Sequence, residues 1–203
     1  LGRVGSATNA SRVESGTLGY APIMTASEDN NQRLSALRAE TELILQDLPG
    51  HYSEADVDAF WADRVRALEL IRSGSREAPS LIFVCVHNAG RSQMSAGWAR
   101  HLAGDRAVVF SGGSGPGPEI NPVAVEAMAE VGIDISDQFP TPFTTESVEA
   151  SDVVVTLGCG DACPFVPGKR YLDWELADPH GQGIEQVRAV RDEIEGRIRV
   201  LLT

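Results

Sequence analysis

Two kinds of hydrophobic pattern divide the chain. Across residues 33–48, Leu34, Leu37, Ile44, Leu45 and Leu48 fall on one stripe at helical spacing, and the stripe stops at Pro49-Gly50. A second stripe begins after Ser53, a good N-cap with Glu54 and Asp56 in its first turn. It carries Val57, Phe60, Trp61, Val65, Leu68 and Ile71 toward Gly74. Both patterns predict amphipathic helices. A small polar linker, SGSREAPS, follows at 73–80, and there the pattern changes. Residues 81–86, LIFVCV, are continuously apolar and rich in β-branched side chains, as a parallel strand buried on both faces must be.

Beyond that strand the chain predicts a helix over 91–103, a strand over 108–111 and a loop rich in Gly and Pro. Asn121-Pro122 opens a further helix as N-cap and first helical residue, and Gly132 closes it. A short helix at 145–150, strands at 152–157 and about 170–174, and a last helix at 185–202 complete the pattern. Strands alternating with helices predict an α/β domain built on a parallel four-stranded sheet with helices on both faces. Its ligand site is expected at the carboxyl ends of the strands. The expected organisation is a flexible arm at 1–26, a small all-helical region at 27–77 and a catalytic α/β domain at 78–203.

Charge narrows the candidates. A net charge of -12 repels nucleic-acid phosphates and anionic lipid, so neither is an expected partner. No apolar run is long enough for a membrane span, and residues 1–19 lack the pattern of a secretory signal, so a cytoplasmic location is expected. Any anionic ligand therefore needs a local pocket of backbone amides and one or two arginines. The three cysteines, Cys85, Cys159 and Cys163, are too few for a disulfide scaffold, which leaves core packing, metal binding or chemistry. Cys159 and Cys163 form C-x3-C without a second ligand pair and the histidines are scattered, so no metal site and no cofactor are expected. His101 reads as a surface residue and Trp98 as core.

The first strand ends in Cys85-Val86-His87-Asn88-Ala89-Gly90-Arg91-Ser92, a C-x5-R-S motif between a buried strand and a helix. Five intervening residues let the backbone curl into a cup lined by the amides of Val86, His87, Asn88, Ala89, Gly90 and Arg91, with the helix N-terminus adding positive potential. A tetrahedral dianion fits such a cup, and the Arg91 fork can take two of its oxygens. The same field favours a thiolate at Cys85, and Ser92 can donate a hydrogen bond to the sulfur. Gly90 permits close backbone approach, while Asn88 suits a left-handed position from which its amide braces the loop. At average composition the motif alone arises in roughly one chain in fifty; its place between strand and helix sharpens it.

The run HNAGRSQMSAG after an apolar strand resembles the oxyanion loop of low-molecular-weight phosphotyrosine phosphatases and of the arsenate reductases built on that fold. The resemblance continues through SGGSGPGPEINPVAVEAMAEVGID, SDVVVTLGCGDACP and YLDWELADPHGQG, and covers about 80–203. It implies that Asp178, in Asp178-Pro179, is the general acid, although that pair also reads as a plain turn before the last helix. It further implies that Cys159 attacks Cys85 and that Cys163 resolves the disulfide, on a loop that must move. The implied activity is reduction of arsenate to arsenite, with thioredoxin, or alternatively mycothiol and mycoredoxin, as reductant.

Three departures from the family pattern stand out: the short spacing of Cys159 and Cys163, Ala96 where some members carry a glutamate of a potassium site, and His180 where phosphatases carry an aromatic residue. Plain phosphomonoester hydrolysis and a non-enzymatic oxyanion sensor are the alternatives. The paired thiols speak against the first and Asp178 against the second. Helical extensions like 27–77 occur on actinobacterial members, which implies a homodimer.

Overall fold

A computed structural model describes residues 78–159 and 165–203; the two N-terminal helical patterns, and Cys163 with its immediate neighbours, lie outside the described residues. Four parallel strands form one sheet in the order β2-β1-β3-β4: β1 Ser80–Cys85, β2 Val108–Gly113, β3 Val153–Thr156 and β4 Arg170–Asp173. The apolar run at the first strand is central, paired with β2 from Ser80↔Val108 to Cys85↔Gly113 and with β3 from Leu81↔Val153 to Val84↔Thr156. Its whole length is buried, which is why it needs apolar residues on both faces rather than an alternation.

The ends of that central pairing are fixed by side chains. Ser80 Oγ donates to Ala150 O at 2.9 Å, and the Ser80 amide donates to Asp152 Oδ2 at 2.8 Å, tying the start of β1 to the start of β3. A one-residue slip would break these bonds and turn every β1 side chain to the wrong face.

Two cores result. On one face Leu81, Phe83 and Cys85 pack against α1 (Arg91–Ala103), α2 (Pro122–Ala129) and α4 (Ile184–Leu201), with Met94, Trp98, Met128 and Ile194 among the buried partners. On the other face Ile82 and Val84 pack with Phe110, Val154, Cys159 and Val148, the last from the short α3 (Thr145–Ala150). Each large side chain buried this way contributes about 1.5–3 kcal/mol relative to exposure. The elements expected over 78–203 are all present, with ends moved by one or two residues. Asn121 caps α2 by accepting from the Val123 amide at 3.0 Å, Pro122 follows as the first helical residue, and Gly132 takes a φ of +79° just beyond the end. Trp98 is buried, whereas His101 is exposed and meets only the edge of its ring. Among the described residues no helix is long and apolar enough to cross a membrane.

Candidate active site

The parallel register brings the carboxyl ends of β1 and β3 to one edge of the sheet, and the C-x5-R-S loop leaves β1 there. Its carbonyls are tied outward to the loop that follows β2. The Ser114 amide donates to Cys85 O (3.2 Å), Gly115 to Val86 O (2.9 Å), Gly117 to His87 O (2.9 Å) and Asn121 to Ala89 O (2.8 Å). In a trans peptide the N–H points opposite to the C=O, so carbonyls held outward turn amides inward. The N-terminus of α1 carries no side-chain cap at Gly90, which leaves its first amides directed into the same concavity. Pro179 closes the rim: a Cβ on Gly90 would stand 2.8 Å from Pro179 Cγ, so only glycine admits this approach.

Asn88 is the brace. It sits at φ +48°, a region open mainly to Gly, Asn and Asp, and it is fully buried. Its Oδ1 accepts from the Thr141 amide (2.8 Å) and from Gln93 Nε2 (2.9 Å). A backbone N–H can only donate, so this contact fixes the orientation of the Asn88 amide and aims Nδ2 at Ser92 Oγ, 2.8 Å away. The Ser92 hydroxyl, already accepting there, has its own proton free for Cys85 Sγ at 2.9 Å. The Asn88 amide N–H donates to the same sulfur at 3.1 Å. Two donors thus converge on a buried sulfur and stabilise negative charge on it.

Arg91 and Asp178 form the second half of the site. Arg91 is 8% exposed, and its Nη2 lies 3.2 Å from Asp178 Oδ2. Asp178 Oδ1 accepts from the His180 amide at 3.0 Å, so the Asp178-Pro179 turn is real and also places a half-exposed carboxylate beside the cup. Asn121 holds the turn by donating from Nδ2 to Pro179 O at 3.3 Å. His87 and His180 are both exposed at the mouth, ring centroids 6.2 Å apart.

Cys159 is placed differently. It lies two residues beyond Leu157, whose amide donates to Val84 O, and is buried within the core on the face opposite Cys85. Cys85 carries a free thiol. The structure brings together Cys85, Ser92, Arg91, Asp178 and the loop amides; Cys159 stands at the same sheet edge but in the other core, and Cys163 is outside the described residues.

Sequence reasoning did not single out Gln93 or Thr141, nor the second role of Asn121; Gly158 reads from sequence only as a glycine flanking Cys159 that lets its loop move. The signal for Gln93 was a polar residue on a helix that is buried along most of its length. Thr141 gave none, since it contributes chiefly a backbone amide. Among the described residues no group of three or more His, Cys, Asp or Glu side chains is placed to hold a metal ion.

A buried sulfur that receives two donors, a loop whose amides turn inward, and an arginine beside a carboxylate form an arrangement chemically suited to thiolate attack on a tetrahedral oxyanion. Residues 80–203 match the family described as low molecular weight phosphotyrosine protein phosphatase, and the chain belongs to that family. Within it, the chain is similar to proteins named for arsenate reduction. It is 40% identical over 128 residues to arsenate reductase 2 of Staphylococcus haemolyticus, covering 61% of this chain and 96% of that one. It is 38% identical over 125 residues to the glutaredoxin arsenate reductase of Synechocystis, covering 60% and 95%. Among solved structures, the Corynebacterium glutamicum thioredoxin-dependent arsenate reductase Cg_ArsC1' superposes with a TM-score of 0.69 at 39% identity, covering 84% of each chain.

Proposed function

We propose that this protein reduces arsenate to arsenite through Cys85 and a Cys159/Cys163 thiol relay that is regenerated by thioredoxin. The observation that carries the reading is the pair of donors on the Cys85 sulfur inside a cup of inward amides, joined to paired thiols on the loop after β3. The named relatives support the substrate, and the thioredoxin-dependent neighbour supports the reductant.

The Cys85 sulfur attacks arsenic, and an oxygen leaves as water with a proton from Asp178 while Arg91 and the loop amides hold the remaining oxygens. Cys159 thiolate then attacks Cys85 Sγ. The S–As bond breaks with its electron pair going to arsenic, which departs as arsenite, reduced by two electrons, and a Cys85–Cys159 disulfide remains. Cys163 attacks Cys159, frees Cys85 and forms a Cys159–Cys163 disulfide, which the external dithiol reduces with two electrons and two protons. The two amphipathic stripes of 27–73 support a homodimer, for which light scattering at micromolar concentration is the measurement; a monomeric mass would remove that part of the reading.

Three variants test the relay. Cys159→Ser stops arsenate turnover with thioredoxin. Cys163→Ser permits one reduction and stalls as a Cys85–Cys159 disulfide detectable by peptide mass. Hydrolysis of an aryl phosphate survives both. If the double variant Cys159→Ser/Cys163→Ser reduces arsenate through many cycles at the normal rate, the relay is wrong and a small thiol such as mycothiol resolves the arseno-cysteine directly.

A further inference from the structure

Among the described residues, Asp178 and Gly158 both stand against the guanidinium of Arg91, and Gly158 has no role in the chemistry above. On one side Nη2 meets Asp178. On the other lies the backbone of Gly158, at φ +76°, where a Cβ would stand 2.9 Å from Arg91 Nη1 and 3.8 Å from Cζ. No other heavy atom of the described residues, apart from the glycine's own chain neighbours, comes within 4 Å of that point. The missing side chain therefore makes room for Arg91 alone. Gly158 is also bonded to Cys159, so one short stretch of backbone seats the anion-binding arginine and holds the buried second thiol.

We infer that Gly158 is a positioning residue. It sets the Arg91 guanidinium for two-pronged contact with a tetrahedral oxyanion and ties exposure of the Cys159 thiol to occupancy of the cup. The inference rests on the reading of the C-x5-R-S loop as an oxyanion site. An anion gripped by Arg91 fixes the guanidinium, a fixed guanidinium holds Gly158, and excursions of the adjoining Cys159 become rarer. By thermodynamic reciprocity, drawing Cys159 out of its core weakens the hold on the anion by the same factor. Emergence of the thiol is thus slowed for as long as Arg91 grips an oxyanion, and quickens as that grip loosens.

The test uses the full chain and inorganic phosphate. Gly158→Ala and Gly158→Asn both introduce a Cβ, but Asn tolerates a positive φ far better than Ala. The group in the way is the far end of a flexible side chain, so the guanidinium yields first and the fold survives. Phosphate affinity falls about tenfold in both variants, with melting temperature near that of the parent. Affinity restored by Asn would assign the loss to backbone strain and overturn the inference. In an Arg91→Lys background, Gly158→Ala has no further effect; another tenfold loss there would also overturn it.

The second readout follows the Cys159 thiol itself. Saturating phosphate slows alkylation of Cys159, followed by peptide mass, roughly fivefold in the parent and less than about twofold in Gly158→Ala. Equal protection in both, or none in the parent, overturns the coupling. If phosphate does not bind the parent at all, the oxyanion reading itself falls; if it binds and Gly158 variants leave it unchanged, only the seat is lost.

Discussion

Cys85 and Cys159 are buried almost equally, 3% and 6% exposed, and their surroundings differ in kind. Around Cys85 the chain aims an amide and a hydroxyl at the sulfur and turns a row of loop amides toward the space above it. Around Cys159 it packs the apolar side chains of Ile82, Val84, Phe110, Val148 and Val154. A thiol's chemistry is set less by its burial than by the groups aimed at its sulfur, and at Cys85 these are a hydroxyl and an amide. The two also lie on opposite faces of the sheet, so their meeting requires the segment after Leu157 to leave its core.

The comparison breaks most sharply at Cys85 itself. Cys85→Ser lowers arsenate reduction and aryl phosphate hydrolysis alike, on the order of 10⁴-fold or more, with an unchanged melting temperature. Cys159→Ser, measured side by side, spares the hydrolysis. Comparable losses of hydrolysis in the two variants would mean that the sulfurs are not functionally distinct. Next in size is Asp178→Asn, which lowers kcat roughly 10²- to 10⁴-fold as the proton donor is lost. Its phosphate affinity does not weaken, because the carboxylate that competes for Arg91 has gone; a weaker Kd with intact kcat would place Asp178 in binding alone.

Asn88→Ala sharpens the contrast by making the Cys85 surroundings more like those of Cys159. It removes the bonds to Ser92, Gln93 and Thr141 and puts alanine at φ +48°, a loss of roughly 2–4 kcal/mol measured by denaturant melting. Alkylation of Cys85 slows in parallel. Unchanged stability would show that the brace is dispensable.

The smallest effect comes from a control far from both thiols. Arg188 and Arg191 of α4 bind Glu130 at the end of α2, and the hydrogen bond from Arg188 is the main reason the Glu130 carboxyl is held down from about 4.5 to about 2. A depressed carboxyl stabilises the fold above its ordinary value and loses that contribution as pH falls from 4.5 through 2. Glu130→Gln therefore flattens the acid limb of a stability-versus-pH curve and leaves the alkylation of either cysteine at pH 7 unchanged. An acid limb identical to the parent's would show that the ion pairs contribute nothing.

How far the sequence could be read follows from how local each feature is. The cup, Ser92 and the left-handed Asn88 lie within eight consecutive residues, so spacing alone placed them. The buried central strand announced itself by an unbroken apolar run, and α2 by its Asn-Pro start and terminal glycine. Long-range partners left no such trace. Thr141 braces Asn88 across 53 residues through its backbone, and nothing in the threonine's identity marks it. From sequence, Gly158 is only a glycine beside Cys159, and its close approach to Arg91 emerges only once β3 lies beside β1. Asp178 was identified through family resemblance, since an Asp-Pro pair before a helix is otherwise an ordinary turn.

The separation between Arg91 and Asp178, 87 residues along the chain, has a consequence for how the protein is made. Synthesis proceeds from the N-terminus, so Cys85 and the whole of its loop emerge long before the strands and the turn that complete the site. Until β3 pairs with β1 and the Asp178 turn closes over Gly90, the nascent chain carries a solvated cysteine without an assembled oxyanion cup. The site is completed late in folding, and prematurely terminated chains carry the motif without the partners that assemble it.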